Sequence, residues 1–520
     1  MRWALASFAS FASFASFASR TIRPVYFYET IHFKAKPSRR ARTDTTPRMT
    51  TRDIQSELPA IVAAMKHAHR LDGPASAQLR RDRLARAARL LSDNHRALVA
   101  AVSADFGHRS AYQTLLADVM SSVKSLNHAR EHLESWLRAD DQEPPAPGMQ
   151  ARVQYQALGV VGIISPWNFP LNLAFSPLAG VFAAGNRALL KPSELTPRTA
   201  DLLATLIARY FDPLEFAAVV GDAGVGAAFS AQPFDHLVFT GSTAVGKHVM
   251  RAAAENLVPV TLELGGKSPV MLDTDADVAL AAQRVLTVKT FNVGQICLAP
   301  DYVLLPAAAR DEFVAQARRF VAGIFPTMQD NPDYTAIVNE RHFTRLQNLL
   351  DDARAKGATL VSLAPPGEPD AAAATRKMAP VLVLDARDDM QVMQEEIFGP
   401  LLPVLAYGDR AEALDYIDTH PRPLAAYYFG PDAARQRDFE ARTVSGALVV
   451  NDVMTHASVE SLPFGGVGPA GMGAYHGAYG FRRFSHARAV VVQSPGGESN
   501  LRLRAPYAAG LAQIEKLLAG

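Results

Sequence analysis

The sequence predicts an α/β protein built from two doubly wound domains and a small bridging region of strands. Three observations carry that expectation. From residue 159 onward, short apolar runs alternate with segments of helical period, the rhythm of a parallel sheet covered on both faces. The rhythm starts a second time near Val258. An alternating stretch at residues 152–156 and an exposed-looking strand at 489–493 lie outside both series. At 520 residues the chain is long enough to bury more than one core.

The elements follow in order. Residues 53–138 read as helices, because Leu84, Ala88, Leu91 and Leu98 recur at helical spacing with Arg and Asp on the other face. Residues 143–148, Glu-Pro-Pro-Ala-Pro-Gly, break the helix and mark a boundary. Residues 159–164 form an uninterrupted apolar run of the kind a buried parallel strand shows. Strands at 187–191, 216–220 and 235–240 then alternate with helices at 199–210 and 225–231. The second series carries helices at 276–287 and 310–324. Residues 511–518 make at best a short amphipathic helix, too short to anchor in a bilayer.

Composition removes several function classes. Net charge is +2, with basic and acidic residues interspersed, so neither nucleic acid nor an acidic membrane is an expected partner. Past the N-terminus, no uncharged apolar run approaches the ~20 residues that span a bilayer. The first 48 residues stand apart. Phe-Ala-Ser is repeated between Phe8 and Ser19, and nine Lys/Arg face only Glu29 and Asp44 in residues 1–50. This stretch reads as an Arg- and Ser-rich transit peptide, as a weak signal peptide, or as sequence upstream of a start at Met49. The last is the preferred reading, and residues 1–48 are left out of the fold.

Cys297 is the only cysteine, which excludes an intramolecular disulfide and a cysteine-clustered zinc site. It is either a small apolar filler or a reactive thiol. Asn292, Gly294 and Gln295 before it suit a tight backbone approach better than a core strand. Asn168, in Ser-Pro-Trp-Asn-Phe-Pro after the 159–164 strand, sits where open α/β sheets bind ligands. Its amide can donate to a developing oxyanion, or bond its own turn. Gly241 and Ser242 open a strand–turn–helix segment whose N–H groups suit a pyrophosphate, although most such turns are only turns. Lys191 and Glu194 place a cation and an acid at the same edge; Glu194 can accept from a ribose and would disfavour a 2′-phosphate, or simply start a helix. Glu263, between leucines on a strand, is either a desolvated general base or a salt-bridge partner of Lys267. Glu396 and Phe398 precede a Gly-Pro turn that has no chemistry taken alone.

Together these segments resemble a known family. Pro-Trp-Asn-Phe-Pro, Lys-Pro-Ser-Glu, Phe-Thr-Gly-Ser-Thr, Leu-Glu-Leu-Gly-Gly-Lys-Ser-Pro, Gly-Gln-Ile-Cys, Glu-Glu-Ile-Phe-Gly-Pro and Pro-Phe-Gly-Gly occur in the order and approximate spacing of the NAD(P)-dependent aldehyde dehydrogenases, over roughly residues 52–495. Asp-Phe-Gly-His-Arg-Ser at 105–110, Cys-Leu-Ala-Pro-Asp-Tyr from 297, and the stretches at 462–468 and 471–477 are most similar to the class 3 and coniferyl branch. The resemblance implies Cys297 as nucleophile, Asn168 with the cysteine N–H as oxyanion hole, and Glu263 as the base that activates water. It implies Trp167, Lys191, Glu194, Gly241, Ser242, Gly246, Glu396 and Phe398 around NAD, with NADP also possible, and no metal.

The resemblance also implies a domain plan. Residues 49–145 and 157–258 would form a Rossmann-like cofactor domain and 259–455 a catalytic domain. Residues 146–156 and 486–496 would bridge or oligomerise, and 497–520 would be a tail. A homo-oligomer, favoured as a dimer, a cytoplasmic location (mitochondrial if residues 1–48 are real), and a small aldehyde substrate follow. That substrate would be aromatic or unsaturated, of coniferyl type, or a medium-chain aliphatic aldehyde. A CoA-acylating relative is disfavoured by Glu263, and a Cys/His hydrolase leaves the cofactor turns unexplained. A non-catalytic homologue does not fit an intact Asn168, Glu263 and Cys297.

Overall fold

The computed structural model describes residues 51–144, 148–497 and 499–519. The expectations for residues 1–48 lie outside the described residues. Four helices, Thr51–Asp72, Ala77–Asp93, His95–Phe106 and Ser121–Trp136, occupy the first third. Leu84, Leu91 and Leu98 are fully buried, so the periodicity marks the packed face.

Two sheets carry the rest. The first runs Gly471–Met472, Val260–Leu264, His236–Gly241, Val160–Ile164, Arg187–Lys191 and Phe216–Ala218, parallel except for its first short strand. Val160–Ile164 and Arg187–Lys191 are buried at every position, as two-sided helix cover requires. The second runs Thr359–Ser362, Val381–Leu384, Leu401–Tyr407, Pro300–Pro306, Ser268–Leu272, Ala425–Phe429 and Ala447–Val450, antiparallel only at Thr359–Ser362. A smaller three-stranded sheet pairs Gln150–Ala157 with Ser485–Val492 along eight residues, in register from Ala157↔Ser485 to Gln150↔Val492.

One expectation is corrected. The second series does not begin at Val258, because Val260–Leu264 pairs with His236–Gly241 and completes the first sheet. The second sheet begins at Ser268–Leu272. The turn between them holds Gly265 and Gly266, and a Cβ on Gly265 would strike the Glu396 carboxylate at 2.1 Å. Glycine there lets the chain cross from one sheet to the other beside a carboxylate.

Candidate active site

The site lies between the carboxyl ends of the first sheet and the amino ends of strands in the second. Val160–Ile164 leads into the loop with Trp167 and Asn168, His236–Gly241 into Ser242, and Val260–Leu264 carries Glu263 near its end. From the other side, Cys297 precedes Pro300–Pro306, and Glu396 and Phe398 precede Leu401–Tyr407.

The cysteine loop is held under strain by a closed set of hydrogen bonds. Asn292 and Val293 both take left-handed backbone angles (φ 47° and 53°), which is costly for a β-branched valine. Gln113 accepts from the Asn292 N–H at 3.0 Å, and the Asn292 amide donates to the Asn168 and Gln295 carbonyls. The Gln295 amide donates to Asn292 and Ala336 carbonyls and accepts from the Val338 N–H. Gly294 (φ +69°) cannot be replaced cheaply, since a Cβ would lie 2.3 Å from the Gly399 carbonyl. The cysteine loop and the Glu396 loop therefore abut.

Asn168 is buried, and its side-chain amide donates to the Gln295 carbonyl at 3.2 Å. Its own carbonyl accepts from Arg109 at 2.7 Å. Arg109 pairs with Asp118 at 2.9 Å, both side chains fully buried. Asp118 in turn accepts from the N–H groups of Leu171 and Asn172 at 3.0 Å. This pair fixes the loop that carries Asn168 from both ends. Sequence reasoning assigned Arg109 and Asp118 no role, because a charged pair nine residues apart in a helical region reads as a solvated face.

Cys297 is half-buried and lines a cavity of about 500 Å³. Burial, then the charges of Glu396 and Glu263, push its thiol above the usual range, while its own N–H and that of Leu298 pull it back. Glu263 is buried with neither carboxylate oxygen hydrogen-bonded. Burial raises its pKa well above the ordinary carboxylate value, opposed only by the Arg483 charge. Lys267 is not its partner. That ammonium is bound by Asp301 and by the Val392 and Glu395 carbonyls. Burial and the Asp301 charge raise Glu396 to about 8 against the Gly266 N–H, and its Oε1 has no partner.

A second cavity of about 420 Å³ is lined by Trp167, Lys191, Glu194, Gly241 and Ser242. Ser242 caps helix Thr243–Ala254 through the Val245 N–H, leaving the helix start facing this space. The buried hydroxyls of Ser165 and Thr240 line it without partners, as a cradle for a polar ligand would leave them. Lys191, buried, donates to Glu194 at 2.7 Å. The residues present fit a dinucleotide, and Arg341, His342 and His248, which sequence reasoning missed, line the same wall. Trp167 packs between Phe106, His342 and Phe398 with centroids 5.2–6.0 Å away. Gly246 lies in the first turn of the helix Thr243–Ala254, where a Cβ would meet Leu264 at 2.7 Å. Its part is close helix–strand packing.

Comparison with known proteins agrees with this geometry. The Aldehyde dehydrogenase family model matches residues 32–490. A coniferyl aldehyde dehydrogenase of Pseudomonas sp. (strain HR199 / DSM 7063) is 60% identical over 451 residues, covering 87% of this chain and 94% of that protein. The substrate-bound state of Staphylococcus aureus AldH superposes with a TM-score of 0.83 at 33% identity, over 88% of this chain and 99% of that one. A Mycobacterium tuberculosis aldehyde dehydrogenase complexed with NAD+ gives a TM-score of 0.77 at 27% identity, over 85% and 91%. The chain belongs to the aldehyde dehydrogenase family, and its reaction is the NAD(P)-dependent oxidation of an aldehyde to the acid.

Proposed function

We propose that the substrate is a phenylpropenal of coniferyl type and that Cys297, Asn168 and Glu263 carry the chemistry. The observation that supports this most is that Cys297 lines a largely apolar cavity of about 500 Å³, feels the charge of the unpaired Glu263 carboxyl, and follows by two residues the Gln295 carbonyl that the Asn168 amide reaches. The 60% identity to a coniferyl aldehyde dehydrogenase supports the substrate class.

In this reading the Cys297 thiol gives up its proton to solvent as its sulfur adds to the carbonyl carbon. The Cys297 N–H and the Asn168 amide, released from the Gln295 carbonyl, hold the oxygen. NAD or NADP, when bound, would supply the hydride acceptor; Cys297 carries the oxidised acyl group as a thioester. Glu263 then takes a proton from the water that attacks the thioester, releasing the acid and restoring the thiol. Glu396, with a free buried oxygen, would hold the nicotinamide ribose with Phe398 beside it, and Trp167 would give a cofactor-side backbone contact. Lys191 and Glu194 would hold the adenosine ribose, and Glu194 favours NAD over NADP by repelling a 2′-phosphate. Gly241 and Ser242 would face the pyrophosphate.

Residues 49–145 and 157–258 with the strand that follows are assigned to cofactor binding, the second sheet to catalysis. The eight-residue edge strand Ser485–Val492, with Val491 and Val492 exposed, suits pairing with a second copy in a homodimer. A cytoplasmic location belongs to the same reading; among the described residues no helix is long and apolar enough to cross a membrane.

Absorbance at about 340 nm reports reduced nicotinamide and tests the reaction directly. Coniferyl aldehyde and cinnamaldehyde should give a steady rise without CoA, and NAD a higher rate than NADP. A rise with medium-chain aliphatic aldehydes alone would replace the substrate class. Full activity in Cys297→Ser would remove the nucleophile assignment.

A further inference from the structure

The cavity above Cys297 is walled largely by apolar side chains, among them Leu116, Met120, Phe169 and Phe464. Glu460 breaks that pattern. It lines the same cavity at 8% exposure, so a carboxyl has been carried into an apolar chamber away from water. Its Oε1 accepts from the Ser125 hydroxyl at 2.7 Å, and among the described residues no ion pair reaches it. The neighbouring cation, Lys124, donates to the Ser458 carbonyl at 2.6 Å instead. One donor leaves most of a carboxylate's acceptor positions open.

The neighbours are also short of partners. His476 lines the cavity with a buried Nδ1 that has none, and burial holds its pKa at about 3, so the ring is neutral. Tyr475, between the two ends, feels the charges of Glu263, Cys297 and Glu460 together. Its hydroxyl is buried and unpaired. A chamber meant only for an alkyl chain gains nothing from a desolvated acid and two unpaired polar groups. A rigid aryl aldehyde with a hydroxyl on its ring would give the acid a donor.

We propose that Glu460, oriented by Ser125, accepts a hydrogen bond from the ring hydroxyl of a phenolic aldehyde whose carbonyl lies at Cys297, and thereby selects phenolic over unsubstituted or O-methylated aryl aldehydes. The assignment rests on the phenylpropenal reading above. A site built to receive a hydroxyl discriminates strongly against the analogue that lacks it, because the acceptor is then left buried and unpaired.

The test compares kcat/KM for coniferyl aldehyde with that for its O-methylated analogue and for cinnamaldehyde, in wild type, Glu460→Gln, Glu460→Leu and Ser125→Ala. Wild type should favour the phenol by about tenfold or more. Glu460→Leu should remove that preference mainly through KM, with Ser125→Ala lowering it about threefold. A preference unchanged in both Glu460 variants overturns the proposal while leaving aldehyde oxidation intact. A second readout needs no turnover: calorimetric titration with ferulate and with cinnamate. Tighter binding of ferulate in wild type, lost in Glu460→Leu and weakened in Ser125→Ala, supports the subsite. Equal binding of the two acids to wild type overturns it, whichever aldehydes are oxidised. Failure to oxidise any phenylpropenal, with ferulate still preferred, overturns the substrate reading alone.

Discussion

Two buried glutamates of this molecule have opposite fates. Glu215, under the first helices, accepts from Arg83 at 2.7 Å and from Arg86 at 2.6 and 2.9 Å. Burial alone would raise its pKa; the bonds from Arg86 and Arg83 overcome that and hold it below the ordinary value. Glu263 is buried more deeply still and bonds to nothing, so its pKa rises. The same side chain is structural where its charge is satisfied and available for proton transfer where it is not. Pairing, added to a difference in burial, separates the two.

Substitution should show the contrast most strongly in rate. Glu263→Gln keeps the shape and removes the base; we expect thioester hydrolysis to fall by roughly 10²–10⁴-fold, with a surviving pre-steady-state burst of reduced nicotinamide. Stability should change by less than about 1 kcal/mol, since glutamine fills the same volume and the wild-type carboxyl makes no hydrogen bond that could be lost. If steady-state turnover survives, Glu263 is not the base. Glu215→Gln should do the reverse, costing about 3–5 kcal/mol in denaturant unfolding by leaving Arg83 buried without its counter-charge, while kcat of the folded enzyme holds. An equal loss of kcat would mean that the two carboxyls are coupled.

Arg109 tests whether a satisfied buried charge can also serve the chemistry. Arg109→Lys keeps the charge and loses the fork that grips both Asp118 and the Asn168 carbonyl. We expect kcat lower by about tenfold with KM little changed. Unchanged kcat would confine the pair to holding the fold.

The smallest effects are in pH dependence, and their signs differ. Glu215, with its folded pKa lowered, contributes stability that is present above the unfolded value near 4.5 and is lost as pH falls through the folded one. Glu396, raised to about 8, contributes stability that is full below about 4.5 and is lost as pH climbs through 8. Thermal unfolding from pH 3 to 10 should therefore lose its acid-side slope in Glu215→Gln and part of its alkaline-side slope in Glu396→Gln, each by on the order of 1–2 kcal/mol. Slopes of the same sign in both variants would contradict the pairing argument.

Local patterning was legible, and long-range pairing was not. The strands Val160–Ile164 and Arg187–Lys191 and the helix Arg310–Ile324 are bounded by composition and period alone. The sheet to which Val260–Leu264 belongs depends on which neighbour it meets, and nothing local encodes that. The motif residues could be placed by resemblance, yet the groups that brace them could not. Arg109, Asp118 and Gln295 act through partners tens to hundreds of residues away. At Gly246 a glycine beside a phosphate-like turn and a glycine packed under a leucine look alike in one dimension.

The two-residue strand Gly471–Met472 has a consequence for the order in which the protein is made. It supplies the last neighbour of Val260–Leu264, opposite Glu263 itself, and Gln150–Ala157 likewise waits for Ser485–Val492. During synthesis both partners leave the ribosome after nearly all the rest of the chain. Most of the first sheet can assemble early, whereas the strand bearing the base stays open-edged until translation is almost complete. The nascent chain acquires its dinucleotide fold well before its catalytic competence, and through that interval the bare edge is where a chaperone would have most to protect.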